Sequence, residues 1–173
     1  MLPTRIEPLL DYPLRDTSIC LAPDGCYYLT GTTGYPTWWT HNEGIHLWRS
    51  PDLRHWESLG LVWNVEREGT WPRRYAGSRH AIWAPEIHFI DGTFWLTYSV
   101  WGGKPEKAFN GLLKSTSGKA AGPYVDAAPH PLATGIDASL FQDGDAVYWI
   151  FQNGRIARMN VDLSGLAEEP RLL

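Results

Sequence analysis

The feature that most constrains this chain is a pattern that occurs three times. The first unit runs Asp16-Thr17-Ser18-Ile19, then Asp24-Gly25, then Cys26-Tyr27-Tyr28-Leu29-Thr30, then Gly44-Ile45-His46-Leu47-Trp48-Arg49-Ser50. The second runs Ala84-Pro85-Glu86-Ile87, then Asp91-Gly92, then residues 93–99 and 111–115. The third runs Asp137-Ala138-Ser139-Leu140, then Asp143-Gly144, then residues 146–151 and 154–159. Each unit reads as strand, tight turn, strand, connection, third strand. The Asp-Gly pairs are hairpin signals, because Gly and Asp tolerate the positive φ that such turns demand. The first two units continue into a candidate fourth strand, at 56–61 and around 123–125. Equivalent positions Ser18, Glu86 and Ser139 lie 68 and 53 residues apart.

A four-stranded antiparallel unit recurring at this spacing is a β-propeller blade. The predicted fold class is therefore all-β, a propeller with about three blades in residues 1–173: blade 1 about 16–63, blade 2 about 80–128 and blade 3 about 135–173. Blade 3 is predicted incomplete, with no fourth strand visible after residue 159. The extra length of the first unit falls in 64–79, read as a loop rich in Trp, Arg and Gly, and 32–42 is a second long connection. Three blades leave sheet edges uncovered, a liability for a soluble protein. The expectation is a piece of a longer propeller, completed by a C-terminal segment or a second chain.

Composition narrows the function classes. Hydrophobic residues make up 43% and charged residues 20%, a globular rather than a disordered balance. The net charge of −4 comes with no basic cluster, which argues against nucleic-acid or anionic-membrane partners. No apolar run approaches the roughly 20 residues that span a bilayer. Residues 1–5 lack the apolar stretch of a signal peptide, so a cytoplasmic location is expected. Cys20 and Cys26 flank the first turn and are expected as reduced thiols. The six His residues show no metal-ligand spacing, and no P-loop, dinucleotide fingerprint or nucleophile elbow occurs. No cofactor is expected; nothing in the residues supports a structural calcium in the channel. The 10 Trp, 8 Tyr and 5 Phe serve either core packing or stacking on sugar rings, and most are assigned to the core.

Three carboxylates recur at one structural place. Asp16 and Asp137 each stand two residues before a Ser, and Glu86 takes the Ser position in the second unit. All lie at the start of the innermost strand, so acidic groups from different blades can converge on one cavity. A charged group there needs a reason, since an unpaired desolvated carboxylate is costly. Capping of a turn is the simplest reason for one Asp; repetition in register argues for more.

The segments Arg15-Asp16-Thr17-Ser18-Ile19, Trp83-Ala84-Pro85-Glu86-Ile87 and Gly135-Ile136-Asp137-Ala138-Ser139-Leu140-Phe141 together resemble glycoside hydrolase family 43. So do Tyr27-Tyr28-Leu29-Thr30-Gly31-Thr32 and Leu47-Trp48-Arg49-Ser50-Pro51-Asp52-Leu53. The resemblance covers essentially the whole chain and implies a five-bladed propeller acting on arabinose- and xylose-containing saccharides. It implies that Asp16 is the general base that activates water. It implies that Asp137 raises the pKa of the general acid, and that Trp83, Ala84 and Ile136 line the sugar site. The family's acid, a Glu on a later blade usually followed by Gly and Pro, has no match; Glu168-Glu169-Pro170 lacks the Gly. The implied activity is inverting hydrolysis, incomplete in this chain. The alternative is a non-catalytic carbohydrate-binding propeller fragment. A neighbouring five-bladed family acting on fructosides fits Trp83-Ala84-Pro85-Glu86-Ile87 less well. His41 and His80 sit in candidate substrate loops but read first as solvated loop residues; Arg73, Arg74 and Arg79 are as well suited to solvated surface as to sugar hydroxyls.

Overall fold

The computed structural model describes residues 8–38, 42–76, 81–101 and 108–173. Three antiparallel sheets follow one another along the chain, the first and third four-stranded and the middle one five-stranded. Blade 1 is β1 (Arg15–Leu21), β2 (Tyr27–Thr32), β3 (Gly44–Ser50) and β4 (Glu57–Asn64). Blade 2 is β5 (Ile82–Ile90), β6 (Thr93–Trp101), β7 (Ala108–Ser115) and β8 (Tyr124–Asp126), and a short β9 (Ala133–Thr134) pairs with the start of β7. Blade 3 is β10 (Ser139–Asp143), β11 (Ala146–Phe151), β12 (Arg155–Arg158) and β13 (Arg171–Leu172). In each sheet the strands lie in chain order. The hairpin between β5 and β6 shows why the turn pairs matter. Ile90 faces Thr93 across Asp91 and Gly92, whose φ values are 49° and 75°. That two-residue turn needs positive φ at both positions.

Two sequence expectations change. Blade 3 has a fourth strand where none was expected. β13 is two residues long and pairs Arg155 with Leu172 and Ile156 with Arg171. Both of its residues are exposed, so no apolar alternation marks it. Residues 64–79 are not a plain loop: they hold α1 (Val65–Glu68) and α2 (Pro72–Ala76). The Asn64 carboxamide caps α1 by accepting the N–H groups of Glu66 and Arg67 at 3.0 and 3.1 Å, and Glu68 reaches back to the Asn64 N–H. This reciprocal capping holds a helix too short to show an amphipathic period. The Asp126 carboxylate ties the insertion to blade 2, accepting from Thr70 N and Oγ1 on one oxygen and from Tyr98 Oη on the other.

The core forms two clusters, each between successive blades. Ile45, Leu47 and Trp63 of blade 1 pack with Ile82, Leu96 and Tyr98 of blade 2. Ile90, Trp95 and Leu112 of blade 2 pack with Leu140, Trp149 and Phe151 of blade 3. Trp48, Trp63, Trp71, Trp95 and Trp149 are all buried, the use expected for most of the indoles. Gly111 is required on β7: a Cβ there would meet the Tyr98 ring at 2.3 Å. Both thiols are free. Cys26 is buried, and the Arg49 guanidinium donates to its Sγ at 3.0 Å.

Candidate active site

The innermost strand of every blade carries the same irregularity. In blade 1, Arg15 faces Thr32 and Ser18 faces Thr30, so Asp16 and Thr17 share Gly31 as their single partner. In blade 2, Trp83 faces Ser99 and Glu86 faces Thr97, leaving Ala84 and Pro85 opposite Tyr98. In blade 3, the Gln152 N–H reaches Ile136 O at 3.1 Å and Ser139 faces Ile150, leaving Asp137 and Ala138 opposite Phe151. These are β-bulges in register, and the first residue of each has positive φ: 52° at Asp16, 41° at Ala84 and 57° at Asp137. Such a position is usually given to Gly, and Asp is among the few other residues that tolerate it. The bulge bends the strand and re-aims the side chain of its first residue. The sequence alignment of Asp16, Ala84 and Asp137 thus holds at the level of the backbone.

Buried hydroxyls link each bulge to its neighbour. Thr32 Oγ1 accepts the Ala84 N–H at 2.7 Å and donates to Asp16 Oδ2 at 3.0 Å. Ser99 Oγ accepts the Asp137 N–H at 3.1 Å and an Asn110 Nδ2–H at 3.2 Å. Asn110 also donates to Gly135 O at 3.0 Å, and Thr97 Oγ1 donates to Ala138 O at 2.6 Å. Blade 2 therefore holds the Asp137 N–H and the carbonyls of Gly135 and Ala138 that flank this residue. Glu86 has a linking role of the same kind, accepting the Ser139 hydroxyl at 2.6 Å. His88 Nε2 lies 3.5 Å from Glu86 Oε2 and 3.4 Å from the Leu140 N–H. Ser139, at 2.6 Å, is the nearer of the two partners of Glu86.

The three carboxylates differ electrostatically. Burial raises the pKa of Asp137 above its ordinary value; the charges of Asp16 and Glu86 push the same way, and Arg15 partly offsets them. Burial also pushes Glu86 up, but hydrogen bonds from His88 and Ser139, with the charge on His88, outweigh it and hold Glu86 below its ordinary value. Glu86 thus stays ionised beside Asp137. Arg15 Nε donates to Asp16 Oδ2 at 3.0 Å, in an exposed pair worth little to stability.

Aromatic rings border this edge. Trp83 is half-buried, stacks on Trp101 with centroids 5.6 Å apart and rings 17° from parallel, and donates its Nε1–H to Trp38 O at 2.8 Å. The Arg15 guanidinium lies over the Trp38 ring at 5.5 Å, and exposed Tyr35 meets Trp38 edge-on. Ile136 is half-buried beside Asp137. Ala84 offers little surface, at 8% exposure; its contact with the site is through its backbone N–H. Thr32, Ser99, Trp38 and Trp101 are members that sequence reasoning missed. Thr30-Gly31-Thr32 and Thr97-Tyr98-Ser99 occupy equivalent places, so a recurring hydroxyl pair was the available signal for two of them. His41, Arg79 and His80 lie outside the described residues. Arg73, on α2, donates to Glu66 O at 3.1 Å. Glu168 and Glu169 line a separate groove of about 790 Å³ with Leu132, Phe151 and Arg155. Among the described residues no group of three or more His, Cys, Asp or Glu side chains could hold a metal ion.

Residues 6–170 match the model of glycosyl hydrolases family 43. A β-D-galactofuranosidase of Aspergillus niger is 29% identical over 139 residues, 69% of this chain and 38% of its own. A non-reducing-end α-L-arabinofuranosidase of Bacteroides ovatus is 30% identical over 121 residues, 69% of this chain and 21% of its own. Among solved structures, a family-43 enzyme of Xanthomonas citri, determined with xylotriose, superposes with a TM-score of 0.73 at 21% identity, covering 95% of this chain and 57% of its own. The chain spans well under half the length of these two curated relatives and little more than half of the solved structure. The match covers nearly the whole chain, and the chain belongs to glycosyl hydrolases family 43.

Proposed function

We propose that this chain supplies the base side of an inverting glycosidase that cleaves arabinose- or xylose-containing glycosidic bonds. The observation that carries the reading is the paired bulge: Asp16 and Asp137 stand at equivalent positions of blades 1 and 3, and the charge of Asp16 acts on Asp137. Inversion needs one carboxylate to take a proton from water and one carboxylic acid to protonate the leaving oxygen, roughly 6.5–9.5 Å apart. Asp16 takes the first role. Asp137 is the modulator: a carboxylate beside the acid keeps that acid protonated near neutral pH, because two like charges in one site resist ionising together. Trp83 and Ile136 border the sugar, and Ala84 holds the wall through its backbone. The acid comes from a further segment of the protein or a second chain. The arabinofuranosidase relative and the xylotriose complex support a saccharide substrate of this class.

The test is Asp16→Asn in the protein with that segment present, using aryl arabinosides and xylosides. Turnover falls about 10²–10⁴-fold, the usual worth of acid–base assistance, while oligosaccharide binding by calorimetry persists. Wild-type turnover would sink the assignment. Saccharide binding without hydrolysis in the wild-type protein would favour the non-catalytic carbohydrate-binding reading.

A further inference from the structure

We infer that Thr32 is a positioning residue for Asp16, leaving Oδ1 as the carboxylate oxygen that meets water. The inference rests on the reading of Asp16 as the base. Thr32 has no exposed surface, and its hydroxyl makes two bonds of fixed sense. A backbone N–H can only donate, so the Ala84 N–H at 2.7 Å occupies the acceptor side of Oγ1. The single hydroxyl proton is then left for Asp16 Oδ2, 3.0 Å away. Blade 2 thereby fixes the direction in which Thr32 donates to blade 1. Arg15 Nε reaches the same Oδ2 at 3.0 Å. Among the described residues no donor reaches Oδ1. One oxygen is tethered twice and the other keeps its lone pairs for a water proton.

Ser99 shows that the second bond exceeds what the fold requires. It stands where Thr32 stands, one blade on, and accepts the N–H of the next bulge residue, Asp137. The bulge residue of its own blade is Ala84, which has no carboxylate to receive a proton. Holding neighbouring blades together needs only the accepting half of the device. Where the bulge carries Asp16, a donating half is added.

The experiment compares Thr32→Val, which matches the shape without the hydroxyl, with Thr32→Ser, which keeps it. In this chain, three-bond couplings report the χ1 distribution of Asp16: one rotamer in wild type and Thr32→Ser, averaging in Thr32→Val. In the protein with the segment that supplies the acid, Thr32→Val lowers kcat by about tenfold or more with KM within about twofold, the mark of a mispositioned group rather than a lost substrate contact. Thr32→Ser restores kcat to within about threefold of wild type. A single Asp16 rotamer in folded Thr32→Val, or equal losses in both variants, overturns the inference. Thr32→Val also orphans the Ala84 N–H; if it does not fold, the wild-type hydroxyl proton decides. Its exchange with water accelerates about tenfold or more in Asp16→Ala if it is donated to Asp16, and an unchanged rate refutes the bond. Averaging of Asp16 in Thr32→Val together with full turnover in Asp16→Asn supports the tether and overturns the base assignment, so the two failures are distinct.

Discussion

Thr97→Val isolates the energy that blade 2 spends on holding the Asp137 segment. Thr97 is fully buried in the middle of β6, and its hydroxyl donates at 2.6 Å to the carbonyl of Ala138, the residue after Asp137. Ala138 is itself fully buried, so no water can replace the lost donor. Valine has nearly the same shape as threonine, and neither a cavity nor an overlap complicates the change. What remains is a buried carbonyl without a partner, which costs about 1–3 kcal/mol. For a urea slope of about 2 kcal/mol/M, the unfolding midpoint falls by about 0.5–1.5 M with an unchanged slope. Thr30→Val is the matched control. Thr30 occupies the equivalent place in blade 1, but its hydroxyl donates at 2.9 Å to His46 O within the same sheet. Both variants lose stability; only Thr97→Val alters the environment of Asp137, seen as a shift of its carbonyl resonance. A midpoint within about 0.2 M of wild type for Thr97→Val would show that the 2.6 Å contact carries no net energy, and the account of how Asp137 is held would fail.

Three further outcomes are expected. The folded-state pKa of Asp137 lies above its unfolded value, so its contribution to stability is fully present below the unfolded pKa and is lost as pH rises through the folded one. Asp137→Asn is therefore more stable than wild type at pH 7, by under ~1 kcal/mol for so solvent-screened a group, and gains nothing at pH 3; urea midpoints at both pH values check the sign. Gly111→Ala forces a methyl against the buried Tyr98 ring and destabilises by about 3 kcal/mol, lowering the melting temperature by roughly 6–12 °C in a thermal scan. Trp83→Ala removes the stacked indole at the sugar edge and weakens oligosaccharide binding about tenfold by calorimetry, with the melting temperature little changed.

The parts of the fold legible in the sequence were those whose signals are local. Strand alternation and the Asp-Gly turns lie within a few residues, so the hairpins β1–β2, β5–β6 and β10–β11 were legible. β13 was invisible because two exposed residues carry no period, and α1 and α2 because helices of four and five residues are too short to show an apolar stripe. The candidate site divides in the same way. The placement of Asp16 and Asp137 was legible because repetition supplies a second measurement of one position. The meaning of Thr32 was not, because its partners are Asp16 and Ala84, the latter 52 residues away in the next blade. A hydroxyl reads as an ordinary strand residue until the neighbouring blade is in place.

The bulges themselves say why these positions carry carboxylates. Positive φ costs an L-residue on the order of 1–2 kcal/mol, and glycine would adopt it at little steric cost. None of the three bulges uses glycine. At Ala84 an offset is visible in packing, since the residue is only 8% exposed, and in the bond from its N–H to Thr32. Asp16 and Asp137 are largely exposed residues, so packing offsets little of the strain. Asp137 is worse placed still, because the charges of Asp16 and Glu86 oppose its ionisation. Strain at an exposed position, compounded by like-charge repulsion, has no stabilising rationale in the fold. Such strain persists where a side chain is held for chemistry rather than for stability. In blade 2, where the bulge residue is packed instead of exposed, the carboxylate is absent from that position, and Glu86 stands two residues on, ordered by Ser139 of blade 3. The same backbone device thus carries a packed residue once and an exposed carboxylate twice, the arrangement that the proposed base and modulator require.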